Sequence, residues 1–154
     1  MEEHSIGPRK ITVHCTGTEN GQFLKDGAVR TITAWHKERG FDTIGYHMVI
    51  DVDGEIQKGR PLNYRGAHVS GENDNNIGIA MIGTDKFNQA QWRSLRRAIK
   101  DLRQTYPIGL SQIYCHNDFA SARRIGKTCP SFRSGLLMAW FLKEEDALVR
   151  DYTL

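Results

Sequence analysis

A chain of 154 residues, 39% hydrophobic and 25% charged, can bury one ordinary core, which excludes disordered and fibrous classes and any need for disulfide staples. Its formal charge of +3 suits an acidic partner, a cell-wall polymer or a nucleic acid, without demanding one. Three cysteines are an odd count with no framework, so they read as reduced thiols or ligands.

Residues 11–15 form a short β-prone run that ends in Thr16-Gly-Thr. Alternate strand residues face opposite sides, so Ile11, Val13 and Cys15 share one face while Thr12 and His14 take the other. Apolar positions at Val29, Ile32 and Trp35 predict a helix over 28–39, and Gly40 is its C-terminal stop. A strand over 44–51, a turn at Asp53-Gly54 and a returning strand over 55–58 make a hairpin. Residues 60–75 lack periodicity and read mostly as loop, and 77–82 is an apolar central strand interrupted by Gly78. Asn88 caps a helix through Thr105 with Trp92, Leu95, Ile99 and Leu102 on its inner face, and Pro107 and Gly109 end it. Residues 111–116 are a last strand and 132–148 a closing helix. The sum is a single α/β domain, a central sheet with helices on its faces, over 11–154, preceded by an N-terminal extension of 1–10.

The last strand repeats the parity of the first: Ile113 and Cys115 share a face, Tyr114 and His116 the other. Each of these strands ends in a cysteine beside a histidine, hiding the thiol and presenting the imidazole. After His116 a polar loop leads to Lys127 and Cys129, which supplies two soft ligands, one short of a catalytic metal site. In open α/β sheets, sites form where strand ends meet loops, so His14 is the candidate third ligand. Taken singly, each of these residues has an ordinary packed or solvated alternative.

Four segments then carry a resemblance: Val13-His-Cys-Thr-Gly-Thr; Trp35-His-Lys-Glu-Arg-Gly-Phe-Asp-Thr-Ile-Gly-Tyr-His-Met-Val-Ile-Asp-Val-Asp-Gly; Gly66-Ala-His with Asn76-Ile-Gly-Ile; and the His116 loop with Lys127-Thr-Cys-Pro-Ser-Phe. In order and spacing the chain resembles the zinc-dependent N-acetylmuramoyl-L-alanine amidases, which include phage amidase-type lysozymes and peptidoglycan recognition proteins. The size is most similar to the phage branch. The resemblance implies a mixed sheet flanked by helices, one Zn2+ on His14, His116 and Cys129, and Tyr46 and Lys127 at the reaction centre. It further implies that His68, His36 and Asn76 contact the peptide or sugar.

The activity implied is hydrolysis of the amide between N-acetylmuramic acid and L-alanine of the peptidoglycan stem, as in a phage or prophage endolysin. Zinc supplies an activated water, Lys127 serves the oxyanion, and proton transfer is divided between Tyr46 and that water, since no acidic base is evident. The loop between His116 and Lys127, with Arg123 and Arg124, departs from the phage pattern. The alternatives are a non-catalytic peptidoglycan-binding module and an added role as regulator of an RNA polymerase, a partner that the phage branch raises. Arg93, Arg96, Arg97, Lys100 and Arg103 make one helix basic. A solvated outer face is the preferred reading over a nucleic-acid helix, and no nucleic-acid partner is expected. The start of the chain lacks a signal-peptide pattern and no run approaches a membrane span. The expectation is a monomer held in the cytoplasm of the producing cell and reaching the wall after release.

Overall fold

The alternation at residues 11–15 does make a strand, β1 (Lys10–Cys15), and its two faces meet different surroundings. Ile11, Val13 and Cys15 enter the larger hydrophobic cluster, while Thr12 and His14 lie on the opposite side of the sheet. The computed structural model describes residues 1–142 and 151–154. After β1 come α1 (Ala28–Glu38), β2 (Met48–Ile50), β3 (Ile56–Lys58), β4 (Asn76–Met81), α2 (Gln89–Thr105), β5 (Ile113–Cys115), α3 (Ala120–Arg124) and α4 (Ser134–Phe141). The end of the predicted closing helix, 143–148, lies outside the described residues.

The sheet runs β3-β2-β4-β1-β5. β1 is parallel to β4 and β5, β2 is parallel to β4, and only the β2–β3 hairpin is antiparallel. This is the expected mixed sheet. β4 is its central strand and is buried throughout. Its period of two separates Ile77, Ile79 and Met81, which belong to the larger core, from Asn76, Gly78 and Ala80 on the face of His14.

α2 starts where the sequence places it, because Asn88 and Gln91 satisfy each other's backbone N–H groups in a capping box at 2.9 and 3.1 Å. Its inner positions Trp92, Leu95, Ile99 and Leu102 are buried beside Leu137, Trp140 and Phe141 of α4. Arg96 is not a solvated residue of the basic face. Its guanidinium lies 4.6 Å over the Trp140 ring and donates to the Trp140 and Phe141 carbonyls. Arg93, Arg97 and Lys100 are exposed, as read.

α1 covers the other face, and here the expected stripe is displaced. The buried positions are Ala28, Ile32 and His36, whereas Trp35 is 42% exposed and Val29 only half-buried. His36 wins the inner position because its Nδ1 accepts the buried Gly45 N–H at 2.8 Å, so a polar ring is satisfied inside. Gly40, at φ 94°, ends the helix as expected.

The strand read over 44–51 shortens to β2, leaving Tyr46 and His47 ahead of it in non-strand backbone. The strand read over 111–116 shortens to β5, with one-turn 3-10 segments at Leu110–Gln112 and His116–Asp118 on either side. Residues 60–75 carry no regular element, but Arg60 pins them by donating to the carbonyls of Ile44 and Arg65.

The stretch set apart as an extension is docked on this loop. Glu3 bridges Tyr64, Ser5 donates to Asp74, and the His4 ring stacks 5.9 Å from that of His47. Among the described residues no helix is long and apolar enough to cross a membrane.

Candidate active site

The C-terminal ends of the parallel strands β1 and β5 deliver His14 and His116 to the α1 side of the sheet, with ring centroids 4.6 Å apart. Cys129 arrives from the loop that follows. One donor atom from each of His14, His116 and Cys129 lies within 4.8 Å of the others, the only such His/Cys/Asp/Glu group among the described residues.

Asn117 holds that loop closed. Its backbone N–H donates to the Cys129 carbonyl at 2.9 Å, and its side-chain amide donates to the Thr128 and Phe132 carbonyls at 3.0 Å. The stretch between ligands, with no role legible in the sequence, thus folds into a 3-10 turn and α3. Asn117 fastens Cys129 beside His116, and Arg123 donates to the carbonyls of Asn117 and Asp118.

The two cysteines beside histidines have different fates. Cys115 is fully buried in the core, where burial pushes its thiol well above the usual range and keeps it inert. Cys15 is also a core residue, but it touches the candidate ligand. Its N–H donates to Cys129 Sγ at 2.8 Å, and the Cys129 thiol reaches the Cys15 carbonyl at 3.3 Å. The Cys15 thiol and burial both raise Cys129 above its usual range, so metal binding releases a proton from it.

All six histidines of the chain join one cluster. His47 stacks on His4 and meets His68 edge-on at 5.7 Å, and His68 meets His14 at 5.0 Å. Tyr46 stands between His14 and His36, at 5.1 and 5.3 Å. Burial holds His14 well below its ordinary pKa, with His68, His116 and His47 adding like charge. Burial and Lys127 lower His116. Both candidate ligand imidazoles are therefore neutral and offer lone pairs. Two neutral imidazoles and a thiol, partly buried at one point, are a donor set suited to a zinc-type cation with a fourth position left over.

Above this cluster opens a cleft of about 590 Å³, within the range of small-molecule sites. Its lining includes Trp35, His36, Arg39, Tyr46, His68, Lys127 and the candidate ligands His116 and Cys129, and among the described residues no carboxylate. Burial raises the Tyr46 phenol, with the two thiols adding to the effect, so it stays protonated. Lys127 is exposed at the rim.

The expected substrate contacts divide. Asn76 is fully buried and outside the cleft lining, its side chain held by the Thr12 hydroxyl and the Glu72 carbonyl. His36 borders the cleft but is 6% exposed, and burial followed by Arg39 and Arg60 lowers it to about 4. Its role is to hold Gly45, next to Tyr46. His68 lines the cleft with only 8% exposure, and both its ring nitrogens are already engaged, with His14 at 2.9 Å and the Asn76 carbonyl at 3.0 Å. Trp35, read as a core position, is the exposed aromatic of the cleft instead. Asn117 and Cys15 were not legible as site residues; the pairing with His14 was the only trace of Cys15, and Asn117 had none.

Residues 4–132 match the family model described as N-acetylmuramoyl-L-alanine amidase, a match that begins inside the docked N-terminal stretch. The chain is 37% identical over 157 residues to the endolysin of Enterobacteria phage T3, covering 94% of this chain and 95% of that one. It is 36% identical over 143 residues to the endolysin of Escherichia phage T7, covering 88% and 86%. Among solved structures, N-acetylmuramoyl-L-alanine amidase LysC from Clostridium intestinale URNW superposes with a TM-score of 0.74 at 28% identity, over 89% of this chain and 86% of that one. With the match spanning both the strand that carries His14 and the loop that carries Cys129, the chain belongs to the N-acetylmuramoyl-L-alanine amidase family.

Proposed function

We propose that this chain is an endolysin that hydrolyses the amide joining the lactyl group of N-acetylmuramic acid to L-alanine, with zinc held by His14, His116 and Cys129. The observation that carries the reading is the convergence of these three donors within 4.8 Å beside an open cleft that His116 and Cys129 line, in a chain of this family. When bound there, zinc supplies Lewis acidity and lowers the pKa of water to roughly 7.

The chain's own residues do the rest. Cys15 N–H donates to the Cys129 sulfur and steadies it as a thiolate. The protonated Tyr46 phenol, next to His14, donates a hydrogen bond toward the scissile amide. Lys127 brings a positive charge to the cleft rim, where negative charge builds on the carbonyl oxygen as the amide is attacked. A cleft lined by Arg39 and Lys127, with no carboxylate among the described residues, favours an anionic ligand such as a peptide stem rich in carboxylates.

Mass analysis of digested peptidoglycan tests this. The expected products carry a free L-alanine N-terminus and an intact glycan chain. Release of reducing sugar ends without free L-alanine would overturn it. Chelation is expected to abolish turnover and zinc to restore it, and full activity in a metal-stripped sample would remove zinc from the reading.

A further inference from the structure

His14 has two ring nitrogens, and only one of them is left for a metal. The Asn76 carbonyl, 3.0 Å from His68 Nε2, can only accept, so His68 Nε2 carries the proton. A neutral imidazole protonated on Nε2 has its lone pair on Nδ1. That lone pair faces His14 Nε2 at 2.9 Å, so His14 Nε2 must carry the donated proton. The remaining lone pair of His14 is on Nδ1.

The relay is held against rotation at each point. A Cβ on Gly66 would stand 2.5 Å from the His68 ring and one on Gly78 2.7 Å, so two glycines form a slot that the imidazole fills. Asn73 Oδ1 accepts the N–H groups of His68 and Val69, both at 2.9 Å, fixing the backbone that bears the ring. Asn76 is clamped through its own side chain at 2.8 Å on both sides, by the Thr12 hydroxyl and the Glu72 carbonyl. A ring so placed has no free polar atom for a substrate.

We propose that His68 is a positioning residue: it locks His14 in the Nε2–H tautomer and thereby presents His14 Nδ1 as the ligand atom. The proposal rests on His14 being a metal ligand, as read above. Second-layer partners of this kind typically carry about 10- to 100-fold in metal affinity.

The test combines zinc affinity, measured by competition with a chromophoric chelator, with long-range 1H–15N correlation spectra of the histidine rings. In the metal-free wild-type chain both His14 and His68 are expected as Nε2–H tautomers. His68→Leu, which removes the acceptor, is expected to weaken zinc by about 10- to 100-fold, while His68→Asn, whose oxygen takes the place of Nδ1, recovers most of it. An Nδ1–H tautomer at His14 would overturn the relay without recourse to any variant. Wild-type zinc affinity in a folded His68→Leu chain would overturn the positioning role while leaving the zinc reading intact. A wild-type chain that binds no zinc, yet shows the Nε2–H pattern, would overturn the zinc reading and with it the role of His68 toward a metal.

Discussion

The two faces of the central strand β4 are built on opposite principles. On one side Ile77, Ile79 and Met81 meet Trp92, Leu95 and Ile99 of α2, a contact of apolar surface that excludes water and tolerates modest exchange. On the other, Asn76, Gly78 and Ala80 are small or polar, and the volume they leave holds His14, His47 and His68. The first face contributes stability through area. The second consists of hydrogen-bonded rings in fixed tautomers, with no side chain at Gly78 because the His68 ring occupies that space. A site that must hold ligand atoms in place needs the second kind of packing, and needs the first kind behind it.

The largest effect expected from breaking this contrast is on turnover. Cys129→Ser should lower muropeptide release by on the order of 1000-fold or more, with loss of bound metal, while circular dichroism stays native. Retained turnover would remove Cys129 from the site. On the opposite face, Leu95→Ala should cost about 2–5 kcal/mol in denaturant unfolding yet leave the activity of the folded fraction unchanged. A specific loss of activity there would mean that the faces are coupled.

Acidification should act on the histidine face. Burial lowers His47 to about 4 and His68 to about 3, against about 6.5 in the unfolded chain. Below pH 6.5 the unfolded chain takes up protons that the folded one refuses, so stability falls as pH drops toward those values. The slope is up to about 1.4 kcal/mol per pH unit for each ring. Above pH 6.5 neither ring contributes a slope. Thermal unfolding of the metal-free chain between pH 7.5 and 4.5, compared with His47→Gln, checks this: an unchanged slope in the variant would remove His47 from the account. The smallest effect is expected from Gly78→Ala, whose added methyl should cost about 1–3 kcal/mol by displacing the His68 ring, with weaker zinc binding. Unaltered zinc affinity would show that the slot has slack.

Much of the apolar face was legible because periodicity reports it directly: β1, β4 and α2 lie where their patterns put them, and the Asn88–Gln91 cap marks a boundary. The polar face was legible in part. Strand parity put His14 and His116 on one side, but the helical apolar stripe assigned Trp35 to the core in place of His36, because hydrophobicity cannot anticipate that an imidazole will find the Gly45 N–H. Parity did not pick out Tyr46, since Tyr46 and His47 stand outside strand geometry.

By itself, then, the sequence determined the main elements, the faces of β1 and β4 and, through its motifs, the family, since these depend on local period and local composition. Only the tertiary structure decided that Cys15 meets Cys129, that Asn117 closes the ligand loop, that Asn76 is buried, and that His68 serves His14. Each of those pairings joins atoms distant in sequence. Which nitrogen of a histidine carries its proton is set by the acceptor that the fold brings to it, and no local pattern encodes that acceptor.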